Sequence, residues 1–379
     1  MTQPVPTLPP IPQTDPRAGY LEHKAAIDAA VASVLDSGQY ILGREAEAFE
    51  GGFARLIGVA HGIGCGNGTD AIELAIRACG IGAGDLVFTV SHTAVATVAA
   101  IERAGATPVL VDVEPGGFTM DPAALEAALK SPPPGRPAAV MPVHLYGEPA
   151  ALDAIAGLAR AHGLRLIEDA AQAHGAAFGN RLAGSFGDFG CFSFYPTKNL
   201  AAFGDAGALV TDDSELAAAA REIREYGWRD RYVSAVPGIN TRLDPLQAGI
   251  LNARLEALAG DNERRQAIAA RYDRALDGLP LTLPSRRAGA THVFHQYVVR
   301  TAKRDRLREH LRQAGIGTGI HYPLPVHLHP AYQGRVPVGP TGLCHSASVA
   351  REILSLPMYP QLADEAVERV IAETRRFFL

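Results

Sequence analysis

Short apolar runs alternate with helical segments of about ten to fifteen residues between residues 59 and 212. This alternation predicts crossover units, and therefore an α/β fold with a mostly parallel sheet covered by helices on both faces. Ligands bind at the carboxyl ends of the strands in such sheets, so we expect the chemistry there. The strand-like runs are VAHGIGCG, DLVFTV, TPVLVDV, AAVMPVHL, LRLIEDA, DFGCFSF and GALVTD.

The sequence pattern divides the chain into three parts. Residues 1–19 begin with MTQPVPTLPPIPQTDP, a Pro-rich composition typical of an extended arm. Residues 20–243 hold the alternating region and form the predicted large domain. Residues 244–379 are predicted to contain a linking helix and a smaller α+β domain. The linking helix is predicted to be one long helix over residues 244–279, with Gly260 as the natural position for a kink.

Charge and motif content exclude several classes of protein. The formal net charge of -5 and the pI near 6.2 provide no basic surface for nucleic acid or an anionic membrane. Neither a Walker A nor a GxGxxG pattern occurs, which argues against a nucleotide triphosphatase or a dehydrogenase. The four cysteines lack zinc-site spacing and favour a reducing compartment. Since neither a secretory signal nor a membrane span is recognisable, we expect a cytoplasmic protein. We also expect no metal, because the cysteines lack the spacing of a zinc site.

Lysine is scarce, so only a few residues are candidates for a reactive lysine. The 35 basic residues include four lysines, which leaves 31 arginines. Lys198 follows the strand-like run DFGCFSF, and Ser193 in that run is placed to contact a phosphate. A lysine at a strand end can form a Schiff base with a carbonyl if its pKa falls from about 10.4. The lysines whose surroundings are typical of solvated surface charges are Lys24, Lys130 and Lys303.

Two other strand ends carry polar groups suited to a phosphorylated ring. Gly68 and Thr69 begin a helix, and the free N–H groups of a helix start bind anions; the alternative is a simple N-cap. Glu168 and Asp169 end an apolar strand, where a partly buried carboxylate needs a positive partner such as a protonated ring nitrogen. The alternative there is a helix cap with a salt bridge. A phosphate anchor, a buried acid and a strand-end lysine are together what pyridoxal 5′-phosphate requires of a protein.

From about residue 20 to the C-terminus, the chain resembles the nucleotide-sugar aminotransferases of the DegT/DnrJ/StrS group. This resemblance implies the pyridoxal phosphate-dependent transferase fold type I, that of aspartate aminotransferase. The motifs that carry it are ILGREAEAFE, NGTDAIELA, EDAAQAHGA, SFYPTKNL, GDAGALVT, YGWRDRY with GINTRLDPLQAGIL, and IGTGIHYPLPVHLHPAY.

The resemblance implies a role for each strand-end residue. Lys198 would be the Schiff-base lysine, and its presence favours transamination over the dehydration catalysed by relatives with histidine at this position. Asp169 would be the partner of the pyridinium nitrogen, and Gln172 would lie near the ring 3-hydroxyl. The residues that would hold the phosphate are Gly68, Thr69 and Ser193.

Two further features concern the neighbouring subunit and the cofactor ring. Asn240 would reach the phosphate bound by the neighbouring subunit, which implies a homodimer with shared active sites. The family usually has an aromatic residue that stacks on the ring at the position of Ala94. Either His92 or a residue from elsewhere replaces that stack, or the ring is held more loosely.

The resemblance is greatest to the subgroup that aminates 3-keto-6-deoxyhexoses carried on dTDP. L-Glutamate would be the amino donor, and pyridoxamine 5′-phosphate the intermediate form of the cofactor. Arg231 and Arg242 could meet a pyrophosphate or a donor carboxylate, or could be interface or surface residues. His321 and Tyr322 lie in a loop that approaches the active site in the family. Alternative substrates are a UDP-linked 4-keto sugar or a keto-inositol.

Two rival functions come from other classes of protein. His321, His327 and His329 lie on a Pro-rich loop and could be metal ligands, although no carboxylate or cysteine is near them in sequence. A regulatory protein without catalytic activity is the other rival. Lys198 and Asp169 argue against that alternative, because a regulator has no need of them.

Overall fold

The computed structural model describes residues 9–379. Each of the seven predicted strand-like runs contributes a strand to one large sheet. The strands are β1 (His61–Cys65), β2 (Asp85–Val90), β3 (Thr107–Val111), β4 (Arg136–Val140), β5 (Arg165–Asp169), β6 (Ala177–Phe178), β7 (Arg181–Leu182), β8 (Phe189–Ser193), β9 (Gly207–Thr211), β10 (Trp228–Asp230), β11 (Val233–Ser234), β12 (Ala290–Thr291), β13 (Tyr297–Arg300) and β14 (Ile353–Leu356).

The large sheet is mostly parallel, as the sequence predicts. Its strand order is β1-β9-β8-β5-β4-β2-β3. Strand β9 runs antiparallel to both of its neighbours, and the other neighbouring pairs are parallel. Since β1 and β8 are both antiparallel to β9, the carboxyl ends of β1, β5 and β8 meet at one edge of the sheet.

Helices cover both faces of this sheet, because alternate strand residues point to opposite sides. On β8, Phe189 and Cys191 pack in one core, while Phe192 packs in another core on the opposite face. The helices are α1 (Pro16–Glu22), α2 (Lys24–Ser37), α3 (Arg44–Ile57), α4 (Gly68–Ala78), α5 (Val95–Arg103), α6 (Pro122–Lys130), α7 (Leu152–Ala161), α8 (Ser214–Arg224), α9 (Pro245–Leu255), α10 (Leu258–Leu276), α11 (Arg304–Gln313), α12 (Cys344–Glu352) and α13 (Asp364–Phe378).

The predicted linking helix is interrupted at residues 256–257, close to the predicted kink at Gly260, so the segment forms α9 and α10. The N–H group of Ala257 donates to the carbonyl of Arg254, three residues back, which tightens and ends the first helix. Helix α9 packs against α2 and α3, whereas α10 packs against α13. Packing against two different parts of the molecule explains the break, and Gly260 lies within the first turn of α10.

A separate apolar core lies in the C-terminal part of the chain. It joins α10, α11 and α13 to β13 and β14, with Ile268, Leu307 and Leu354 fully buried. Ile11 from the N-terminal segment packs into the same core and pairs with Ile316.

The N-terminal segment is partly helical where the structure describes it. Of the predicted arm, residues 16–19 belong to α1 and residues 1–8 lie outside the described residues. The following helix α2 ends at Gly38, where a φ of 67° suits glycine. Within residues 9–379, none of the helices has the length and apolar character needed to cross a membrane.

Candidate active site

A cavity of about 680 Å³ lies at the carboxyl edge of the large sheet. Its walls come from the strand ends of the sheet, from residues 295–296 and 321–322 of the C-terminal part, and from residues 13–14 near the N-terminus. The structure thus brings eight of the predicted site residues together. They are Gly68, Thr69, Asp169, Gln172, Ser193, Lys198, His321 and Tyr322.

The first turn of α4 faces the cavity. Asn67 caps this helix by accepting a 2.9 Å hydrogen bond from the N–H group of Asp70. Gly68 and Thr69, the first two helical residues, line the cavity, and the first N–H groups of a helix have no partner within it. A Cβ atom at position 68 would lie 2.7 Å from Cβ of Ser193, so glycine is needed for this close approach. Asn67 is therefore the N-cap of α4, and the next two residues face the cavity.

Glu168, the first of the two carboxylates at the end of β5, is structural. It is fully buried and lies outside the cavity. Its oxygens accept hydrogen bonds from Nε2 of His144 at 3.0 Å and from three backbone N–H groups of residues 184–187. These four donors satisfy the carboxylate without a ligand.

Asp169, the second carboxylate, faces the cavity while being only 5% exposed. Burial raises its pKa, and hydrogen bonds from Thr97 and from the N–H group of Ala171 oppose that rise. The nearby charge of Lys198 opposes it further. A carboxylate that burial disfavours in this way is suited to a cationic N–H partner.

Lys198 lies in the loop after β8 and differs from the other lysines in its burial. It is partly buried and lines the cavity, whereas Lys24, Lys130 and Lys303 are exposed. Burial lowers the pKa of Lys198 to about 8, with the charge of Asp169 acting in the opposite direction. The amine can therefore gain and lose a proton near neutral pH, as nucleophilic and acid–base chemistry require.

The amide of Gln172 is fixed in orientation at the cavity wall. Its Oε1 accepts a 2.7 Å hydrogen bond from the N–H group of Tyr146, so its Nε2 donates to the hydroxyl of Tyr322 at 3.2 Å. Tyr146 in turn donates through its hydroxyl to the backbone carbonyl of His321. These contacts tie the loop that carries His321 and Tyr322 to the large sheet.

Comparison with known proteins gives the family to which this site belongs. Residues 22–375 match the DegT/DnrJ/EryC1/StrS aminotransferase family. The chain belongs to that family. It is an aminotransferase that uses pyridoxal 5′-phosphate.

Individual members of the family match over nearly their whole length. The dTDP-3-amino-3,4,6-trideoxy-alpha-D-glucose transaminase of Streptomyces venezuelae is 47% identical over 371 residues, which are 97% of this chain and 96% of that protein. The UDP-N-acetyl-3-dehydro-alpha-D-glucosamine 3-aminotransferase of Acidithiobacillus ferrooxidans is 43% identical over 370 residues, 97% of each chain. The crystal structure of S. venezuelae DesV in complex with a ketimine intermediate has a TM-score of 0.94 at 47% identity, and covers 98% of this chain and 99% of that one.

The cavity of this aminotransferase fits its cofactor at three points. The helix start at Gly68 and Thr69 suits a phosphate, and the buried Asp169 suits a protonated ring nitrogen. Lys198, with its lowered pKa, suits an aldehyde.

Ala94 lines the cavity of the aminotransferase, but His92 does not take the place of the missing aromatic residue. Ala94 is the N-cap of α5 and borders the cavity. His92 is fully buried away from the cavity, with its Nε2 2.8 Å from the hydroxyl of Tyr146. The hypothesis that His92 stacks on the ring is therefore wrong.

Three predicted residues do not line the cavity of their own chain. Asn240 is exposed. Arg231 is exposed and its guanidinium lies 4.9 Å from the ring centre of Tyr232. Arg242 lies 3.5 Å from the carboxylate of Glu225.

The histidines of the rival metal-site hypothesis do not converge. Nδ1 of His321 lies 2.9 Å from Oγ of Ser355, whereas Nδ1 of His327 lies 2.7 Å from Oγ of Ser91. His329 contacts a backbone carbonyl of its own loop. Among residues 9–379, no group of three metal-ligand atoms within 4.8 Å includes any of these histidines, so that hypothesis is wrong.

Sequence reasoning missed several cavity residues of the aminotransferase. Thr93 lines the cavity and contacts Thr97, which lies one helical turn later and contacts Asp169; this spacing after a strand end was the available signal. His295 and Gln13 also line the cavity. Neither follows a strand of the large sheet, so the expectation that ligands bind at the carboxyl ends of the strands could not identify them.

Proposed function

We propose that this aminotransferase transfers the amino group of L-glutamate to the 3-keto group of a dTDP-linked 6-deoxyhexose. The observation that carries the proposal is the meeting of the α4 helix start, Asp169 and Lys198 in one cavity. Each of these groups suits a different part of the same cofactor. A regulator without catalytic activity has no need of that arrangement.

The phosphate end of the cavity is proposed to hold the cofactor in place. Gly68 and Thr69 supply N–H groups at the positive end of α4, and the hydroxyl groups of Thr69 and Ser193 add hydrogen bonds to the phosphate. Gln172, fixed by its contact with the backbone of Tyr146, is proposed to lie near the ring hydroxyl.

Asp169 and Lys198 are proposed to carry out the chemistry. When bound, the cofactor supplies an electron sink that makes the donor Cα acidic. Asp169 keeps the proton on the ring nitrogen, held in position by the hydroxyl of Thr97. Lys198 would hold the cofactor aldehyde through Nζ and, as a free amine, would move the proton of the donor Cα through Nζ. The same residues act in reverse order on the keto sugar.

The sugar substrate is proposed from the relatives and from the open side of the cavity. The S. venezuelae relative is named for a dTDP-linked 3-amino sugar, and the A. ferrooxidans relative for a UDP-linked one. Both names place nitrogen at C3. His321 and Tyr322 are proposed to contact the sugar, since they line the cavity on the side of the C-terminal part.

A homodimer with shared active sites is part of the proposal. Asn240, Arg231 and Arg242 lie outside their own cavity, so we propose that they act at the cavity of the partner subunit. The segment that carries them exposes apolar side chains, with Tyr232 71% and Val233 59% exposed. Exposed apolar patches of this kind favour a protein interface.

A cytoplasmic location is also proposed. All four cysteines are free thiols, and two of them, Cys65 and Cys191, are buried. Free thiols are typical of a reducing compartment.

The proposal is tested by single-turnover amination with the pyridoxamine form of the enzyme. The substrates are matched dTDP- and UDP-linked 3-keto and 4-keto sugars, together with a keto-inositol. We expect the dTDP-linked 3-keto-6-deoxyhexose to react fastest. A faster reaction of a UDP-linked or 4-keto sugar would change the assigned substrate, and reaction of the keto-inositol alone would contradict a nucleotide-sugar substrate.

A further inference from the structure

His295 lies two residues before β13 and lines the cavity that Lys198 also lines. It is only 5% exposed. Its Nδ1 lies 3.2 Å from Oδ1 of Asn199, the residue that follows Lys198, and His295 and Lys198 line the same cavity.

Two asparagine amides fix which ring nitrogen of His295 carries its proton. The backbone carbonyl of His174 can only accept, so Nδ2 of Asn262 donates to it at 2.8 Å, and Oδ1 of Asn262 faces the other way. That oxygen accepts a 2.8 Å hydrogen bond from Nδ2 of Asn199, which also donates to the carbonyl of Val293 at 3.0 Å. Oδ1 of Asn199 is therefore an acceptor, and Nδ1 of His295, 3.2 Å away, carries the proton.

The ring of His295 is neutral, and its other nitrogen holds a lone pair. Burial lowers the pKa of His295 well below the ordinary value. With Nδ1 protonated, Nε2 of the neutral ring is an acceptor. Within residues 9–379, Nε2 makes no hydrogen bond to the protein. The titratable groups that lower the pKa further are Lys198, Arg265, His321 and His174.

The other two histidines near Lys198 lack this arrangement. Nδ1 of His321 faces the hydroxyl of Ser355, which can donate or accept, so its tautomer is not fixed. Both ring nitrogens of His174 are buried among the described residues without a partner, and His174 does not line the cavity. His295 alone of the three presents a fixed acceptor to the cavity.

We propose that His295 is a positioning residue for Lys198, whose Nζ–H group donates a hydrogen bond to Nε2 of His295 while Lys198 is a free amine. This bond holds the Nζ lone pair toward the donor Cα. The proton then moves from Cα to Nζ and from Nζ to C4′, while His295 stays neutral and receives no proton. The inference rests on the proposed proton transfer by Lys198.

The test compares three variants of the full-length holoenzyme. His295→Phe removes the acceptor, and His295→Gln replaces it with an amide oxygen. His292→Phe is the matched control, because His292 is also buried and close in sequence but does not line the cavity. The measurement is the single-turnover rate with L-glutamate carrying hydrogen or deuterium at Cα, at several donor concentrations.

We expect His295→Phe to lower the rate at saturating donor about tenfold, as the loss of one hydrogen bond predicts, without changing the dissociation constant of glutamate. The deuterium isotope effect should increase, His295→Gln should recover most of the rate, and His292→Phe should match the wild type. An unchanged rate in His295→Phe would overturn the proposal. Equal losses of rate in both His295 variants would overturn the proposal and indicate a role in packing. A loss confined to the affinity for glutamate would overturn it and indicate a role in donor binding.

A second measurement observes the tautomer without relying on activity. In ¹⁵N-histidine-labelled holoenzyme, NMR should show one neutral ring with its proton on Nδ1 between pH 6 and pH 8, and its signals should disappear in His295→Gln. Signals showing the proton on Nε2, or a charged ring, would overturn the assignment. Retained turnover in Lys198→Ala would instead contradict the proposed function itself, so the two failures are distinguishable.

Discussion

The hydroxyl of the fully buried Thr97 donates a 2.8 Å hydrogen bond to Oδ2 of Asp169, which lines the cavity. Its single proton is used in this bond, so Thr97 accepts from the hydroxyl of Thr93, 2.8 Å away. The two threonines therefore form a directed chain that ends on the carboxylate. This chain stabilises the ionised form of Asp169, which burial disfavours.

Thr97→Val should weaken cofactor binding, because it keeps the shape of the side chain and removes its donor. The pKa of Asp169 should rise further, and a neutral carboxyl group cannot pair with a protonated ring nitrogen. We expect about a tenfold loss of affinity for pyridoxal 5′-phosphate, in line with one hydrogen bond to a charged group. Titration of the cofactor-free protein measures this loss.

Thr89→Val is the matched control for that experiment. Thr89 is also fully buried, and its hydroxyl donates to the carbonyl of Met141 instead of to Asp169. This variant should lose stability but keep its cofactor affinity. Equal affinities of the two variants would show that the Thr97 hydroxyl does not act through Asp169.

Borohydride reduction of the holoenzyme should attach the cofactor to Lys198 and to no other lysine. With its pKa lowered to about 8, roughly one Lys198 side chain in ten is a neutral amine at pH 7, far more than for an ordinary lysine. Peptide mapping by mass spectrometry identifies the labelled residue. Lys198→Ala should lose the label and the turnover, whereas the exposed Lys303→Ala should keep both. Label on Lys24, Lys130 or Lys303 would contradict the assignment.

Buried His174 should make the protein less stable in acid. Burial, and then the charge of Lys198, lower its pKa to about 3 from the ordinary 6.5. Below pH 6.5 the unfolded chain binds a proton that the folded protein excludes, so this group lowers stability progressively as the pH falls toward 3. By pH 5 the loss from this group reaches about 2 kcal/mol.

His174→Leu should remove that loss. Neither ring nitrogen of His174 has a partner within hydrogen-bond geometry among the described residues, so leucine gives up only a weak contact with the backbone of Ser193. Urea unfolding at pH 7.5 and pH 5 should show a smaller loss of stability in this variant than in the wild type. The exposed His162→Gln is the control and should follow the wild type. If His174→Leu also followed the wild type, His174 would not be the group responsible.

The sequence predicted the strand-end residues of the site because topology determines where they meet. Gly68, Asp169 and Ser193 each follow or end a strand of one sheet, and strands of the same direction bring their carboxyl ends to one edge. Lys198 could be predicted as the reactive lysine because the surroundings of the other three lysines are typical of the surface.

The remaining cavity residues depend on tertiary packing that periodicity does not encode. His295 precedes a strand of the separate C-terminal sheet, and Gln13 reaches the cavity because Ile11 packs into the C-terminal core. Gln13 then donates to Gln296 at 2.6 Å across 283 residues of sequence. The break between α9 and α10 has the same origin, since the two helices pack against different parts of the molecule.

Mixing two inactive variants should restore activity if the active sites are shared between subunits. In a hybrid dimer of Lys198→Ala with Asn240→Ala, one of the two sites combines an intact Lys198 with an intact Asn240 from the other subunit. Asn240 is exposed and outside its own cavity, so its replacement should not disturb folding. After random exchange of subunits, half of the dimers are hybrids with one intact site, which gives about a quarter of the wild-type activity. Exchange between differently tagged variants, followed by an amination assay, measures this recovery. As a control, mixing Lys198→Ala with the double variant Lys198→Ala/Asn240→Ala should recover no activity. If the first mixture also recovered no activity, although the tags showed that subunits had exchanged, each chain would complete its own site.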